Sequence, residues 1–447
     1  CSPVRRAESR APPPAGRRRA APGAVGTLAG APGRRARRRP GYRPAVVSEQ
    51  TVAAPVDEGR RAGAPLVLVL LGALSAFGPL CMDMYLPGLP ELSDDLATPA
   101  WAAQATVSVC MAGLAAGQIV AGPISDARGR RGPLLAGVGV FTLSSLLCAL
   151  APSIVVLLLL RLVQGLAGAA GIAIARAIVR DRHDDPAHAA REFAILTVIS
   201  GVAPILAPSL GGAVLEVGDW RAIFVVLAGV GLVLWLGTWR VIPETLPRER
   251  RHGGGLAQTG RAIAVLARDR GFVGLALACG LSFGAMAVYI AGSPFVLEHR
   301  HGIGPTVFAV VFGVNAAGLI ASSWVGRTLV ARVGAPALLA GGQAMQVAGG
   351  ALVLVTVLAG LGLAPLLAGL FLVVSATGVL VPNATALAMA DHPEIAGSAS
   401  GVLGLVAFGL GAVLAPLAGV AGDSALPMAI TIFAAATGGA VALRAAR

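Results

Sequence analysis

The sequence predicts an all-α integral membrane protein with twelve transmembrane helices, arranged as two pseudo-symmetric bundles of six. Three observations lead to this prediction. Hydrophobic residues make up 56% of the 447-residue chain and charged residues only 13%, whereas a soluble domain carries about 25% charged residues. Apolar segments of roughly 20 residues follow one another from residue 64 onward, and each is long enough to cross a bilayer as a helix. Short sequence patterns also recur between the two halves.

Residues 1–62 carry most of the net charge and are predicted to form a disordered tail rich in Arg, Pro and Ala. Residues 1–61 hold 14 of the 35 basic residues, all of them arginine, against four acids. A segment without an apolar period cannot bury enough surface to offset chain entropy. Three interpretations stay open: an unstructured tail, including upstream DNA translated from a misplaced start; an arm that contacts anionic lipid headgroups; and an organellar transit peptide. Nucleic-acid binding is not expected, because no aromatic or folded platform accompanies the arginines.

The spans divide into two sets of six. Residues 243–270, the longest polar interruption, are predicted to be a cytoplasmic linker between a first bundle at 63–242 and a second at 271–447. The predicted spans are 64–89, 101–123, 133–151, 153–175, 192–216, 221–242, 271–296, 305–327, 335–358, 361–383, 396–421 and 424–445. Of the 21 arginines that follow the tail, 18 lie at one predicted face. By the positive-inside rule, both termini are expected to be cytoplasmic. The membrane concerned is expected to be the cell (plasma) inner membrane.

The two halves repeat each other at matching positions. Residues 206–208 of span 5 read Leu-Ala-Pro, as do residues 414–416 of span 11, and Pro87 in span 1 matches Pro294 in span 7 with nearly the same separation. Repeated halves predict a binding site at their interface and alternating access by rocking of one half against the other.

Asp83 in span 1 and Arg161 in span 4 are the charged residues predicted to lie deepest in the membrane. At 1.5 Å per residue, both lie roughly 10–12 Å below the outer face, a depth that allows an ion pair. A guanidinium there costs about 2.5–3.5 kcal/mol on insertion scales and therefore needs a partner or water. We hypothesise that Asp83 carries a proton and that Arg161 tunes it. The alternatives are a permanently ionised structural pair, or an arginine that only holds backbone carbonyls.

The connection between spans 2 and 3 is a tight, charged loop. Its candidate gating residues are Gly122, Asp126, Arg128, Gly129, Arg130 and Arg131. Asp126 can pair with an arginine at a helix end and so hold the cytoplasmic ends of helices together. The alternative is ordinary anchoring of the positive face in the membrane.

Span 5 combines two prolines, four residues apart, with small residues. The residues concerned are Pro204, Ala207, Pro208, Gly211 and Gly212. Prolines remove helix hydrogen bonds and small residues let a neighbouring helix approach, so a bent and tightly packed helix is predicted.

These segments resemble motifs of the major facilitator superfamily. Residues 122–131 resemble its loop 2–3 signature, with Ile124 in the usual leucine place. Residues 161–168 resemble its span 4 motif, whose arginine is tied to proton coupling in exporters. Residues 201–212 resemble its antiporter motif, although Ala207 replaces a glycine. Residues 83–87, 176–181, 220–224, 243–247 and 291–296 are similar to the bicyclomycin/chloramphenicol-resistance (Bcr/CflA) branch.

The resemblance implies proton-coupled multidrug efflux, that is drug/H⁺ antiport by alternating access. The alternatives are a proton-coupled exporter of an endogenous metabolite and, in another class, a membrane sensor that does not transport. An enzyme is not expected, because no nucleophile–base pair or metal-ligand set is present. The expected driving force is the proton gradient, because no phosphate loop is present to support the use of ATP. No cofactor is expected either. The expected partners are a small-molecule substrate, protons and the lipid bilayer, with the protein as a monomer.

Candidate substrate-binding residues are polar side chains predicted to lie inside the bundles: Tyr85, Gln164, Asn315 and Asn383. We find no acidic residue within the predicted spans of the second half. That half is therefore expected to supply an apolar wall, which suits amphipathic compounds that are neutral or cationic.

Overall fold

The computed structural model describes residues 64–182, 186–251, 260, 263–390, 396–421 and 424–446. Its first half contains α1 Ala64–Ser75, α2 Phe77–Asp83, α3 Leu89–Asp95, α4 Ala100–Arg128, α5 Arg131–Ala149, α6 Ile154–Arg182, α7 Pro186–Leu215 and α8 Trp220–Val241. Its second half contains α9 Arg270–Pro294, α10 Pro305–Val333, α11 Ala335–Ala359, α12 Leu363–Ala390, α13 Ala396–Leu414 and α14 Ala425–Ala445. No strand occurs in these residues. The predicted tail lies outside them.

The helices have the length and composition of membrane spans. In the described part of the chain, 11 helices are long and apolar enough to cross a bilayer, and α1 with the stretch Phe77–Asp95 forms a bent twelfth. The predicted all-α membrane fold is therefore confirmed. The boundaries of the tail, bundles and linker stay predictions.

Helix packing repeats between the halves. In the first half α4 packs against α6, α5 against α8, and α1 against α7; in the second half the corresponding pairs are α10 with α12, α11 with α14, and α9 with α13. The halves meet through α4 against α13 and α7 against α10, which are also equivalent pairs. The pairing is that of two six-helix halves related by a pseudo-two-fold axis.

The first span, predicted at 64–89, is broken rather than a single straight helix. α1 and the following stretch are bent by 41°. Pro79 has no N–H to donate to the carbonyl of Ser75, four residues earlier. Pro87 likewise cannot donate to Asp83, where α2 ends, and a 3₁₀ turn over Leu86–Gly88 follows. The two breaks fall on either side of the membrane carboxylate.

The seventh span runs further than predicted. After α9 the chain continues as a π-helical turn, Phe295–Arg300, so that the span covers Arg270–Glu298. Glu298 therefore belongs to a span, which corrects the expectation of no acid in the spans of the second half. One of its carboxylate oxygens is buried without a hydrogen-bond partner in the described structure.

Two ends of the bundle are distinguished below. The motif end is where α4 ends and α5 begins, at residues 128–131, and the opposite end is where α4 begins, at Ala100. At the opposite end the halves touch directly. The hydroxyl of Thr306 donates to Glu216 Oε1 at 3.0 Å, and Gly419 packs against Trp101 and Gln104.

Candidate functional site

Arg161 lies in a fully buried site inside the first half. Its Nη1 donates to Gln164 Oε1 at 2.5 Å and its Nε to the carbonyl of Thr106 at 3.4 Å. The guanidinium carbon lies 4.3 Å from the centre of the Tyr85 ring and 5.6 Å from that of Phe224. All four contacts are with neutral groups, so the charge is stabilised by a cation–π stack and hydrogen bonds.

Close approach of α4 and α6 makes this site possible. A side chain at Gly165 would run into the carbonyl of Cys110, and one at Gly113 would meet the backbone of α6. These glycines therefore let the two backbones touch, as small residues do in membrane helix packing. The contact brings the Thr106 carbonyl within reach of Arg161.

Two predicted substrate-binding residues belong to this buried site. The Tyr85 hydroxyl lies 2.9 Å from Thr106 Oγ1. Gln164 Nε2 donates to Ser145 Oγ at 2.7 Å, while its oxygen accepts from Arg161. Both side chains position Arg161 here, and neither lines the central cavity.

A cavity of about 340 Å³ lies between the two halves. Its walls come from α1, α2, α4, α6 and α7 of the first half and from α9, α10, α12 and α13 of the second. Asp83 reaches it from the first half and is 5% exposed. Asp83 makes no hydrogen bond or ion pair within the described structure, so the pair with Arg161 that equal depth allowed is absent there.

The second half supplies an aromatic wall. Phe283, Tyr289, Phe312 and Phe408 line the cavity, and Asn315 Nδ2 donates to the Tyr289 hydroxyl at 2.7 Å. Of the predicted substrate-binding residues, Asn315 is the one that this cavity contains. Asn383 instead donates to the carbonyl of Val379 in its own helix, at 2.8 Å.

Sequence reasoning missed Arg176 and Gln118, which also line the cavity. Arg176 had been counted among the arginines of the basic face. Ile172 and Arg176 are one turn apart on α6 and both line the cavity, but the sequence does not indicate which face of this helix turns inward.

The loop between α4 and α5 is held by a charged latch, which consists of Asp126, Arg130, Asp181 and Glu244. Arg130 donates through Nη1 to Asp126 at 2.5 Å and through Nε to Asp181 at 2.7 Å. Burial alone would lower the pKa of the Arg130 guanidinium, but its hydrogen bonds with the two carboxylates outweigh burial and raise that pKa. The latch therefore ties the motif ends of α4 and α6 together.

Glu244 completes the latch from the segment that follows α8. Its Oε1 accepts from the backbone N–H of Arg130 at 2.8 Å and of Leu246 at 3.0 Å. Burial would raise the pKa of Glu244, yet these backbone hydrogen bonds outweigh it and lower the pKa. Gly129 adopts a φ of 94°, which lets the chain turn here. A side chain at this position would also collide with Glu244.

The other predicted gating residues lie around the latch. Arg131 Nη2 donates to the carbonyl of Trp239 at 2.5 Å. Arg128 is exposed and lies outside the ion pairs of the described structure. A side chain at Gly122 would meet open space, so close packing does not account for this glycine.

The antiporter-like segment of α7 connects the broken first span with the second half. Pro204 lines the central cavity, and Ala207 is fully buried. Gly211 packs against the backbone carbonyl of Met84, and Gly212 faces the start of α10 at Pro305. The helix continues without interruption through Pro204 and Pro208.

A second groove, of about 600 Å³, is formed by α4, α5 and α6 alone. Its walls are apolar, apart from Arg128 at the motif end. Several of its side chains, among them Val140, Val163 and Leu166, are exposed on the outside of the helices. The groove therefore faces the lipid side of the first half and is separate from the cavity between the halves.

Comparisons with known proteins agree with this architecture. The family model described as Major Facilitator Superfamily matches residues 70–416. The MFS-type transporter YdgK of Bacillus subtilis, itself described as uncharacterized, is 36% identical over 375 residues, which cover 83% of this chain and 93% of YdgK. A bicyclomycin resistance protein homolog of Haemophilus influenzae is 31% identical over 368 residues, covering 82% and 92%.

A solved structure has the same fold. The inward-facing, unoccupied form of a bacterial homolog of the human lysosomal transporter Spinster superposes with a TM-score of 0.63 at 16% identity, over 87% of this chain and 97% of the other. Because the family model matches most of the chain and YdgK is 36% identical over nearly its whole length, this chain belongs to the Major Facilitator Superfamily and is a transporter, not an enzyme.

Proposed function

We propose that the protein is a drug/proton antiporter that exports amphipathic compounds across the cytoplasmic membrane. The observation that carries the proposal is Asp83, a carboxylate at the wall of the central cavity without an ion-pair partner in the described structure. A carboxyl group in such a place can exchange a proton for a substrate, because burial disfavours its charged form and an approaching polar group changes that balance.

The arrangement of the halves supports alternating access. They touch at the opposite end through Thr306 and Glu216, whereas the cavity is shared by helices of both halves. We assign the motif end to the cytoplasm, because arginines concentrate there. The contacts at the opposite end would then close the cavity toward the outside, and rocking of one half against the other would break them.

The names of the relatives support export of drugs. The Haemophilus relative is named for bicyclomycin resistance, and a Pseudomonas aeruginosa protein that is 30% identical over 290 residues is named for chloramphenicol resistance.

Arg161 would support proton coupling without lining the cavity itself. It is held by neutral groups, among them Tyr85, which follows Asp83 by two residues in the chain.

The test measures proton movement in proteoliposomes that contain the purified protein. Addition of chloramphenicol or bicyclomycin should drive protons out of the lumen of wild-type vesicles, followed with a pH-sensitive dye. Asp83→Asn should abolish the signal. Asp94→Asn is the matched control, since Asp94 is exposed on the nearby α3 and should leave the signal unchanged.

Transport that is undiminished in Asp83→Asn would refute the role of Asp83. If neither drug moves protons in wild-type vesicles while a metabolite from a host-cell extract does, the protein is a metabolite exporter. If neither the drugs nor the extract causes proton movement in wild-type vesicles, the result would favour a sensor that does not transport.

A further inference from the structure

Arg176 is the second charged side chain on the wall of the central cavity. It stands on α6, fifteen residues after Arg161, and six residues before the helix ends at Arg182. At 1.5 Å per residue this is about 9 Å inside the motif end. Within the described structure its guanidinium makes no hydrogen bond and no ion pair.

The neighbouring arginines show that this position is unusual. Arg180 is exposed and does not line the cavity, and Arg182 lies 3.9 Å from Glu192. Arg180 and Arg182 are thus the arginines expected at a cytoplasmic helix end from the positive-inside rule. Arg176 is also exposed, but its open side belongs to the cavity, so a molecule in the cavity would meet the guanidinium directly.

The remaining walls define what such a molecule must be. Phe283, Phe312, Phe408 and Tyr289 face the same space, and aromatic rings prefer other aromatic or apolar groups as partners. The volume of about 340 Å³ lies at the lower end of the range of drug-sized pockets, roughly 300–1,000 Å³. One compact aromatic ligand fits these conditions.

We propose that the cavity prefers aromatic substrates that carry a carboxylate, with the carboxylate bound to Arg176 and the rings against the aromatic wall. This inference rests on the proposed function. A guanidinium binds a carboxylate through two parallel hydrogen bonds. Asp83 lines the same cavity, but in the described structure it forms no ion pair with Arg176. The preferred class then differs from the neutral or cationic compounds that the sequence alone suggested.

The experiment compares one compound with its own ester. A fluoroquinolone, which carries an aromatic carboxylate, and its ethyl ester are tested as substrates of the purified protein in proteoliposomes. Wild-type protein should transport the acid with a lower KM than the ester. Arg176→Gln should raise the KM for the acid by about tenfold or more, as expected for a charge-assisted hydrogen-bond pair, and should leave the KM for the ester unchanged.

Two variants control for folding and for general charge. Arg176→Lys keeps the charge and should restore part of the affinity for the acid. Arg180→Gln removes an exposed arginine from the same helix and should change neither KM. All variants are first checked by size-exclusion chromatography.

The inference is overturned if Arg176→Gln affects acid and ester equally, or leaves the KM of the acid unchanged. Wild-type transport of the ester without the acid would also overturn it, while supporting the proposed antiport. If neither compound is transported while chloramphenicol still moves protons, the inference is overturned and the proposed antiport stands. If none of these compounds moves protons, both proposals are contradicted.

Discussion

Removal of either carboxylate that pairs with Arg130 in the charged latch should destabilise the protein, but by unequal amounts. The Arg130 side chain is 3% exposed, and its two partners differ: Asp181 is 14% exposed and Asp126 is 49% exposed. A charge-assisted hydrogen bond in a partly buried site contributes about 1.5–3 kcal/mol, whereas an exposed pair contributes only about 0.2–1 kcal/mol. Asp181→Ala should therefore cost clearly more than Asp126→Ala.

Thermal unfolding of the detergent-purified protein, followed by tryptophan fluorescence at one fixed scan rate, measures this difference. One kcal/mol corresponds to roughly 2–4 °C in Tm for domains of 150–250 residues, so the two variants should be separable. Asp94→Ala, at an exposed site of α3, controls for loss of an acid as such. Combination of each change with Arg130→Gln forms a double-mutant cycle that isolates each pair. Equal shifts for both variants, or a larger shift for Asp126→Ala, would refute the reasoning.

Three further results are expected. Because the pKa of Glu244 is lowered in the folded protein, its contribution to stability is complete above the ordinary glutamate range and is lost as the pH falls below it; Glu244→Gln should flatten the acid limb of a Tm–pH profile, and an unchanged limb would contradict this. Gly165→Val should abolish folded protein by separating α4 from α6, while Gly122→Ala, in open space, should be tolerated in the same size-exclusion assay. Finally, Cys81 and Cys110, whose sulfurs lie 3.7 Å apart, should form a disulfide with copper-phenanthroline; mass spectrometry that finds both thiols free would rule out this proximity.

The number, order and approximate bounds of the spans could be predicted from the sequence, because a bilayer requires about twenty apolar residues for each helix. The break in the first span could not be predicted with the same certainty. Pro79 and Pro87 signal a lost hydrogen bond, but whether a membrane helix bends there depends on its neighbours. In this fold α7 packs against the bend, with Gly211 on the carbonyl of Met84.

The site was predicted only in part, for a similar reason. Composition and depth identified Asp83 and Arg161 as unusual charges, but not their partners. Tyr85 is two residues from Asp83, where the chain leaves α2, and its ring stacks on Arg161, while Asp83 lines the cavity. Depth along a helix axis does not specify the direction in which a side chain points around that axis. Asp83 and Arg161 therefore lie at equal depth but do not meet: Asp83 points to the cavity, whereas Arg161 contacts Tyr85. Glu244 was missed because it is distant in sequence from the loop that it holds.

The internal repeat explains why the chemistry lies in one half. Pro87 and Pro294 are equivalent, 207 residues apart, and each deprives the residue four positions earlier of a helix hydrogen bond. Those residues are Asp83 and Ile290, and both line the central cavity. Their preceding residues, Met82 and Tyr289, line it as well. The two halves thus present the same backbone positions to the cavity, and one repeat carries a carboxylate where the other carries an aliphatic side chain. Asp83 thus faces the aromatic and aliphatic wall of the second half, so in the proposed function the proton and the aromatic part of the substrate are bound on opposite sides of one cavity.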